Sequence, residues 1–190
     1  MVNGTIQNTA FHEKRFQYAY YEYFRNHPKF ELFDHIEIPL THQQHKVKLR
    51  ISYGEAEKEH IFQPYQKKEK KTLKLVSHDA IDYHLKLEER EPIHALYALK
   101  GNCDDVLIVK QGHITDSSYA NIIFWDGKTW YTPSTYLLKG TKRSQLLHDG
   151  LIRETPIELN DLERYQGFQL INAMLDFNPR DVLPISNIKR

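Results

Sequence analysis

Cysteine is nearly missing from this chain. Cys103 is the one example in 190 residues, so no internal disulfide can form and no set of thiolates can hold zinc. Disulfide scaffolds and zinc ribbons are thereby excluded. Long apolar runs are missing too, and nothing approaches the ~20 residues of a membrane-spanning helix. Net charge is small. The 26 Lys and Arg against 25 Asp and Glu leave +1, whereas a nucleic-acid binder would be basic as a whole. The opening Met-Val-Asn-Gly lacks the basic-then-apolar pattern of a signal segment. There is no His-Glu-x-x-His, no Gly-rich nucleotide loop, no Gly-x-Ser-x-Gly elbow and no internal repeat. The 11 histidines, His42 and His45 included, form no convergent ligand set and read as surface residues, so no metal is expected. These absences argue against a membrane or nucleic-acid partner and are compatible with a cytoplasmic enzyme.

What is present is an ordinary globular composition, 40% hydrophobic and 27% charged. Phe16, Tyr20, Tyr23 and Phe24 recur at helical spacing, which predicts a helix over 8–26, capped by Asn8 or Thr9 and ended by Asn26-His27-Pro28. His12, Arg15 and Ala19 share another of its faces. Strands are predicted at 33–38, 46–53, 60–65 and 73–76, with Lys46, Lys48, Arg50 and Ser52 on one face of the second. The lysine run at 67–71 reads as a solvated loop or a guard on a strand edge. The pattern weakens from Ser77 to Asp82, which divides the chain into subdomains 1–80 and 81–190. Beyond it come a helix over 92–100, a strand over 106–109, a turn over 110–113 and a strand over 119–125. Asp126-Gly127 signals a hairpin returning at 129–132. A helix over 141–149, a strand over 151–157, a short helix over 160–164 and strands over 168–173 and 182–185 complete a mixed α+β reading with a mostly antiparallel second half.

Two stretches carry chemistry. Gly112 to Asn121 concentrates an acid and several small hydroxyls beside the apolar Ile122-Ile123-Phe124-Trp125, which is more polarity than a plain hairpin needs. Gly140-Thr141-Lys142-Arg143 opens a helix, where free backbone N–H groups and the helix dipole favour an anion.

Taken in order, these pieces resemble the class IV pyridoxal-phosphate aminotransferase family, which includes branched-chain and D-amino-acid aminotransferases and aminodeoxychorismate lyases. The likeness runs through Asp104 to Val109, Gly112 to Asn121, Thr129 to Pro133 and Leu138-x-Gly140-Thr141-x-Arg143. Upstream it takes in His12-x-x-Arg15 and Lys86-x-x-x-Arg90, and downstream Asn172-Ala173, so it covers nearly the whole chain from about Gly4. The resemblance implies a small N-terminal α/β subdomain, a larger barrel-like C-terminal subdomain, pyridoxal 5'-phosphate in the cleft between them, and a homodimer.

Residue by residue, the resemblance places Lys86 as the Schiff-base lysine and proton carrier. Asp116 takes the place of the acid that bonds the pyridine nitrogen, where the family usually has Glu. Arg15 matches the phosphate arginine, Thr141 and Lys142 would add N–H groups to the phosphate, and Ser117, Ser118 and Asn121 would shape the pocket. Arg50, or alternatively Arg90, is the candidate for the substrate carboxylate, and Arg90 could instead support the Lys86 segment. Val2 to Gln7 resembles the turn and strand that follow the family's first strand, so that first strand is expected to be lacking. The activity implied is amino-group transfer between an amino acid and a keto acid. The alternative is a lyase that releases pyruvate and 4-aminobenzoate from aminodeoxychorismate, toward which Lys86-x-x-x-Arg90 and Asn172-Ala173 lean. A non-catalytic cofactor-binding relative is a further alternative, opposed by the intact Lys86, Asp116 and Arg15.

Overall fold

Phe16 and Tyr20 lie one helical turn apart, and burying that pair organises the first of two units. The computed structural model describes residues 1–190 and divides them into Met1–Lys67 and Lys68–Arg190. In the first unit, helix α1 (Thr9–Phe24) buries Phe16, Ala19 and Tyr20. Strands β1 (Val47–Tyr53) and β2 (Lys58–Pro64) pair antiparallel, and Ile51 and Tyr53 of β1 pack on those rings. The Phe16 and Tyr53 rings meet edge-on at 4.7 Å, and the Tyr20 hydroxyl donates to the Glu55 carbonyl at 2.6 Å. Asn8 occupies the cap position of α1 in a left-handed conformation, and its side chain makes no cap bond.

The strand predicted over 33–38 does not form. Its neighbourhood is a turn, with His35 in the left-handed region at φ 58°. Just ahead of it, the backbone of Glu31 and Leu32 is bonded to side chains: Leu32 N–H donates to Glu13 at 3.0 Å, Glu31 N–H to Asp34 at 3.2 Å, and Lys58 Nζ to the Leu32 carbonyl at 3.2 Å. Phe33, the first residue of the predicted strand, joins Phe30 and Leu32 in packing against Phe16 and Tyr20.

The second unit is one nine-stranded sheet with two helices. Its strands are β3 (Leu73–Ser77), β4 (Asp105–Lys110), β5 (His113–Ser117), β6 (Asn121–Trp125), β7 (Trp130–Pro133), β8 (Arg153–Thr155), β9 (Gly167–Ile171), β10 (Leu183–Pro184) and β11 (Ile188–Lys189). They run in the order β10-β9-β6-β5-β4-β3-β11, and β7 and β8 continue from β6. The pairs β3–β4, β3–β11 and β7–β8 are parallel and the rest antiparallel. Because β3 pairs with β4, it belongs to the second unit, and the division falls at Lys67/Lys68 where the sequence pattern had suggested 80/81.

Strand alternation sends side chains to two sides. Val106 and Ile108 of β4 join Ile93 and Leu96 of helix α2 (Glu91–Ala98), while Leu107 and Val109 point into a larger cluster with Ile122, Phe124 and Phe168. Ile123 turns away from that cluster to Leu146 of helix α3 (Thr141–His148). Within the lysine run, Lys70 is not simply solvated, since its ammonium donates to the Asp104 carbonyl at 2.5 Å and lies 5.2 Å from the Tyr97 ring.

Gly167 is where β9 and β10 come closest. A Cβ there would stand 2.4 Å from both the Leu183 carbonyl oxygen and a Val182 methyl. Gly167→Ala is therefore expected to destabilise the protein by about 1–3 kcal/mol, read as a lower urea midpoint. An unchanged midpoint would contradict this packing.

Candidate active site

The stretch from Gly112 to Asn121 folds into β5 and the start of β6, a tight hairpin built on its own hydroxyls. Ser117 and Ala120 close it: Ser117 N–H donates to the Ala120 carbonyl at 2.9 Å, and Ala120 N–H donates to Ser117 Oγ at 3.1 Å. That pairing sets Asp116 directly across from Asn121. The two side chains bond, with Asn121 Nδ2 donating to Asp116 Oδ1 at 2.8 Å and to the Leu138 carbonyl at 2.9 Å. Asp116 Oδ2 accepts two backbone N–H groups, from Leu137 and Leu138, each at 2.9 Å.

This geometry gives each position of Leu138-x-Gly140-Thr141-x-Arg143 a role. Leu138 uses its N–H on Asp116 and its carbonyl on Asn121. Gly140 is needed because an added Cβ would lie 1.9 Å from Asn121 Oδ1. Thr141 is buried at the first residue of α3, with Gly140 as its cap. Lys142 turns its ammonium to Gln145 of its own helix at 2.9 Å. Arg143 is buried at 2% exposure, which is unusual for a guanidinium.

Asp116 is a carboxylate inside protein. Burial pushes its pKa up from 3.8 to about 6, while the N–H groups of Leu138 and Leu137, the Asn121 amide and the Arg143 charge pull the other way. A carboxylate has about four lone-pair directions. Asn121, Leu137 and Leu138 occupy three, so Oδ1 keeps one for a further N–H donor. The residue thus fits a protonated ring nitrogen, and Asp reaches its donors because the loop over 133–138 comes to it.

Lys86 lies in an extended, irregular segment whose burial alternates: Ile81 is buried, Tyr83 and Leu85 are half-buried, and Asp82, His84 and Lys86 are exposed. Arg90 fastens this segment to the hairpin. Its Nη2 donates to the Ser118 carbonyl at 2.5 Å, and its guanidinium lies 5.7 Å from the Tyr83 ring. Asn172 reaches the same turn from β9, donating to the Tyr119 carbonyl at 3.4 Å and accepting Met174 N–H at 2.8 Å.

Arg90, Asp116, Ser117, Ser118, Asn121, Thr141 and Asn172 are thus brought into one connected region of the second unit, with Lys86 four residues from Arg90. Arg15 and Arg50 belong to the first unit. Arg15 is half-buried on α1 and its charge opposes the upward push that burial gives the Tyr53 hydroxyl, and Arg50 is exposed on β1 opposite Ile61.

Sequence reasoning missed three things. The donors from Leu137 and Leu138 are backbone groups, which any residue type supplies. Asp105 is fully buried, with Oδ1 accepting Val106 N–H at 2.7 Å, and burial raises its pKa against the opposing pull of Ser118. Asp82 and His84 pair at 2.6 Å two residues ahead of Lys86, a contact that the Asp-x-His spacing foreshadowed.

Residues 91–188 match the family described as amino-transferase class IV. An uncharacterised protein of Haemophilus influenzae is 38% identical over 174 residues, which is 90% of this chain and 93% of that protein. A crystal structure from Haemophilus somnus, described as a candidate 4-amino-4-deoxychorismate lyase, is 32% identical with a TM-score of 0.81 and 93% coverage of both chains. A candidate branched-chain aminotransferase of Thermotoga maritima shares the fold, with a TM-score of 0.64 at 14% identity, over 88% of this chain and 68% of that one.

A raised acid in the folded state has a definite sign. The folded protein holds the Asp116 proton more tightly than the unfolded chain does, so the contribution is full below about pH 4 and is lost as pH rises through about 6. Without added ligand, stability is expected to fall between pH 4 and pH 7 by on the order of 3 kcal/mol from this group. Urea unfolding across that range should show the slope in the wild type and its loss in Asp116→Asn. An equal slope in both proteins would remove Asp116 as its source.

Proposed function

Because the chain belongs to the class IV aminotransferase family, we propose that it is a pyridoxal-phosphate enzyme in which Lys86 moves a proton at the α-carbon of a bound amine, so that an amino group passes between an amino acid and a keto acid. The observation that carries this reading is the Arg90 bond to the Ser118 carbonyl, which joins the segment bearing Lys86 to the turn that follows Asp116. When bound, the cofactor supplies an aldehyde for attachment of an amine and an electron-withdrawing ring.

The chain's own groups divide the remaining work. The Lys86 side chain is a primary amine, the type of group that both attaches to an aldehyde and, once released, takes or gives a proton. The open acceptor direction on Asp116 holds a proton on the ring nitrogen, and its anionic form favours the charged ring. Ser117 and Asn121 fix the hairpin and the Asp116 carboxylate. The first turn of α3 at Thr141 and Lys142 is assigned to the cofactor phosphate, and the family likeness assigns Arg15 of the first unit to phosphate binding. Arg50 is assigned to the substrate carboxylate. Arg90 is assigned to support of the Lys86 segment, because its Nη2 holds the Ser118 carbonyl. The reaction would take place in the cytoplasm, in a homodimer.

A second reading, release of pyruvate and 4-aminobenzoate from aminodeoxychorismate, is favoured by the likeness to the Haemophilus somnus protein over 93% of both chains. The proton step at Lys86 is common to both readings.

Pyridoxal phosphate added to purified protein is expected to give a visible absorption band that Lys86→Ala loses, with activity down by on the order of 10³-fold. Failure of the wild type to develop the band would sink the cofactor reading. Bleaching of the band by ordinary amino acids, with a keto acid released, marks transamination. Pyruvate and 4-aminobenzoate formed without a second keto acid mark the lyase. Separately, Arg15→Ala should weaken cofactor affinity roughly 10- to 100-fold, while Arg50→Ala should raise KM for the donor and leave the band intact. Equal effects of the two substitutions on cofactor affinity would overturn these assignments.

A further inference from the structure

Arg143 is buried at the third residue of α3. The guanidinium is enclosed on several sides: Nη2 donates to the Pro133 carbonyl at 3.0 Å and pairs with the Glu154 carboxylate, and the charged carbon sits 4.2 Å from the centre of the Tyr136 ring. Pro133 and Tyr136 begin the loop whose next two residues, Leu137 and Leu138, give both N–H groups to Asp116. Glu154 belongs to β8, which pairs in parallel with β7, so its carboxylate is placed by the sheet. Nε of Arg143 is buried without a hydrogen-bond partner. A buried donor left unmet is costly, and the guanidinium is nonetheless retained where its charge reaches Asp116.

We infer that Arg143 is a positioning residue for Asp116: it holds the loop that supplies the two N–H donors, and its charge favours the ionised carboxylate, while Glu154 determines how much of the Arg143 charge remains to act. The inference rests on the reading of Asp116 as the ring-nitrogen acid.

The other charged groups around Asp116 are directed elsewhere. Lys139, in the same loop, is exposed. Lys142 on α3 bonds Gln145, and His113 at the far end of β5 lies against the Gln111 carbonyl. Asp105 on β4 is engaged with Val106 and Ser118. Asn121 on β6 is neutral. The positive field on the carboxylate therefore comes chiefly from Arg143, and Glu154, 44% exposed, partly cancels it.

Two substitutions should move Asp116 in opposite directions. Arg143→Met removes the charge and loosens the loop, and should raise the Asp116 titration midpoint by about one pH unit. Glu154→Gln leaves the Arg143 charge less cancelled, and should lower the midpoint by roughly half a unit. The readout is a ¹³C carboxyl titration by NMR without added ligand, with the Asp116 signal assigned by its loss in Asp116→Asn. If Arg143→Met does not fold, Glu154→Gln, altering a part-exposed group, decides alone by the sign of its shift. Midpoints that stay put, or that move the same way in both variants while stability falls, would reduce Arg143 to a packing role and overturn the inference. Failure of the cofactor reading would appear separately, as a missing visible band with pyridoxal phosphate, and would leave the carboxyl titration unaffected.

Discussion

A carboxylate taken out of water must be met by donors, and in this protein that requirement falls on Asp116. Much of the second unit around it is arranged accordingly. The β5–β6 hairpin turns on Ser117 and Ala120 so that Asn121 faces the acid. The loop over 133–138 approaches until two successive N–H groups reach Oδ2. Residue 140 is glycine because Asn121, bonded to both the acid and the loop, occupies the space where a side chain would begin. Arg143 then anchors the start of that loop. The same three donors leave one direction on Oδ1 open, so the constraint that shapes the fold also leaves a place for a ligand's N–H.

Helix α3 and strands β7 and β8 extend this arrangement outward. Thr132 donates to the Ile122 carbonyl at 3.0 Å and Thr135 to the Ile114 carbonyl at 2.8 Å, which ties the approach of the loop to the central strands. On the opposite side, Arg90 and Asn172 bond successive carbonyls of the turn, those of Ser118 and Tyr119. The turn after Asp116 is thereby held from α2's leading segment and from β9 at once. Positions held by several independent bonds have little freedom to relax, which is what the role proposed for Asp116 requires.

The sequence made much of this legible where residue type carries the information. Period-two alternation located β1, strands at 106–109 and 119–125 anticipated β4 and β6, helical spacing of Phe16 and Tyr20 located α1, and Gly140 before Thr141 marked the start of α3. The ordered motifs gave the family. What escaped was work done by groups without a residue signature. Strand β5 was hidden because His113 to Ser117 is as polar as a loop, although Ile114 to Ser117 are all buried. The strand expected over 33–38 had the right composition, but the chain turns over 32–35, with His35 in the left-handed region, and no ladder forms there. Arg143 appeared as a motif position, and nothing in its spacing announced that it would lie buried against Tyr136 and Glu154.

The central claim is that one lysine, Lys86, in the segment fastened to the Asp116 hairpin, carries the chemistry. Reductive trapping tests it most directly: protein saturated with pyridoxal phosphate is treated with borohydride, digested and mapped by peptide mass spectrometry. The account predicts a single stoichiometric phosphopyridoxyl adduct on Lys86. A stoichiometric adduct on another lysine, or none above the background of surface lysines, would contradict it.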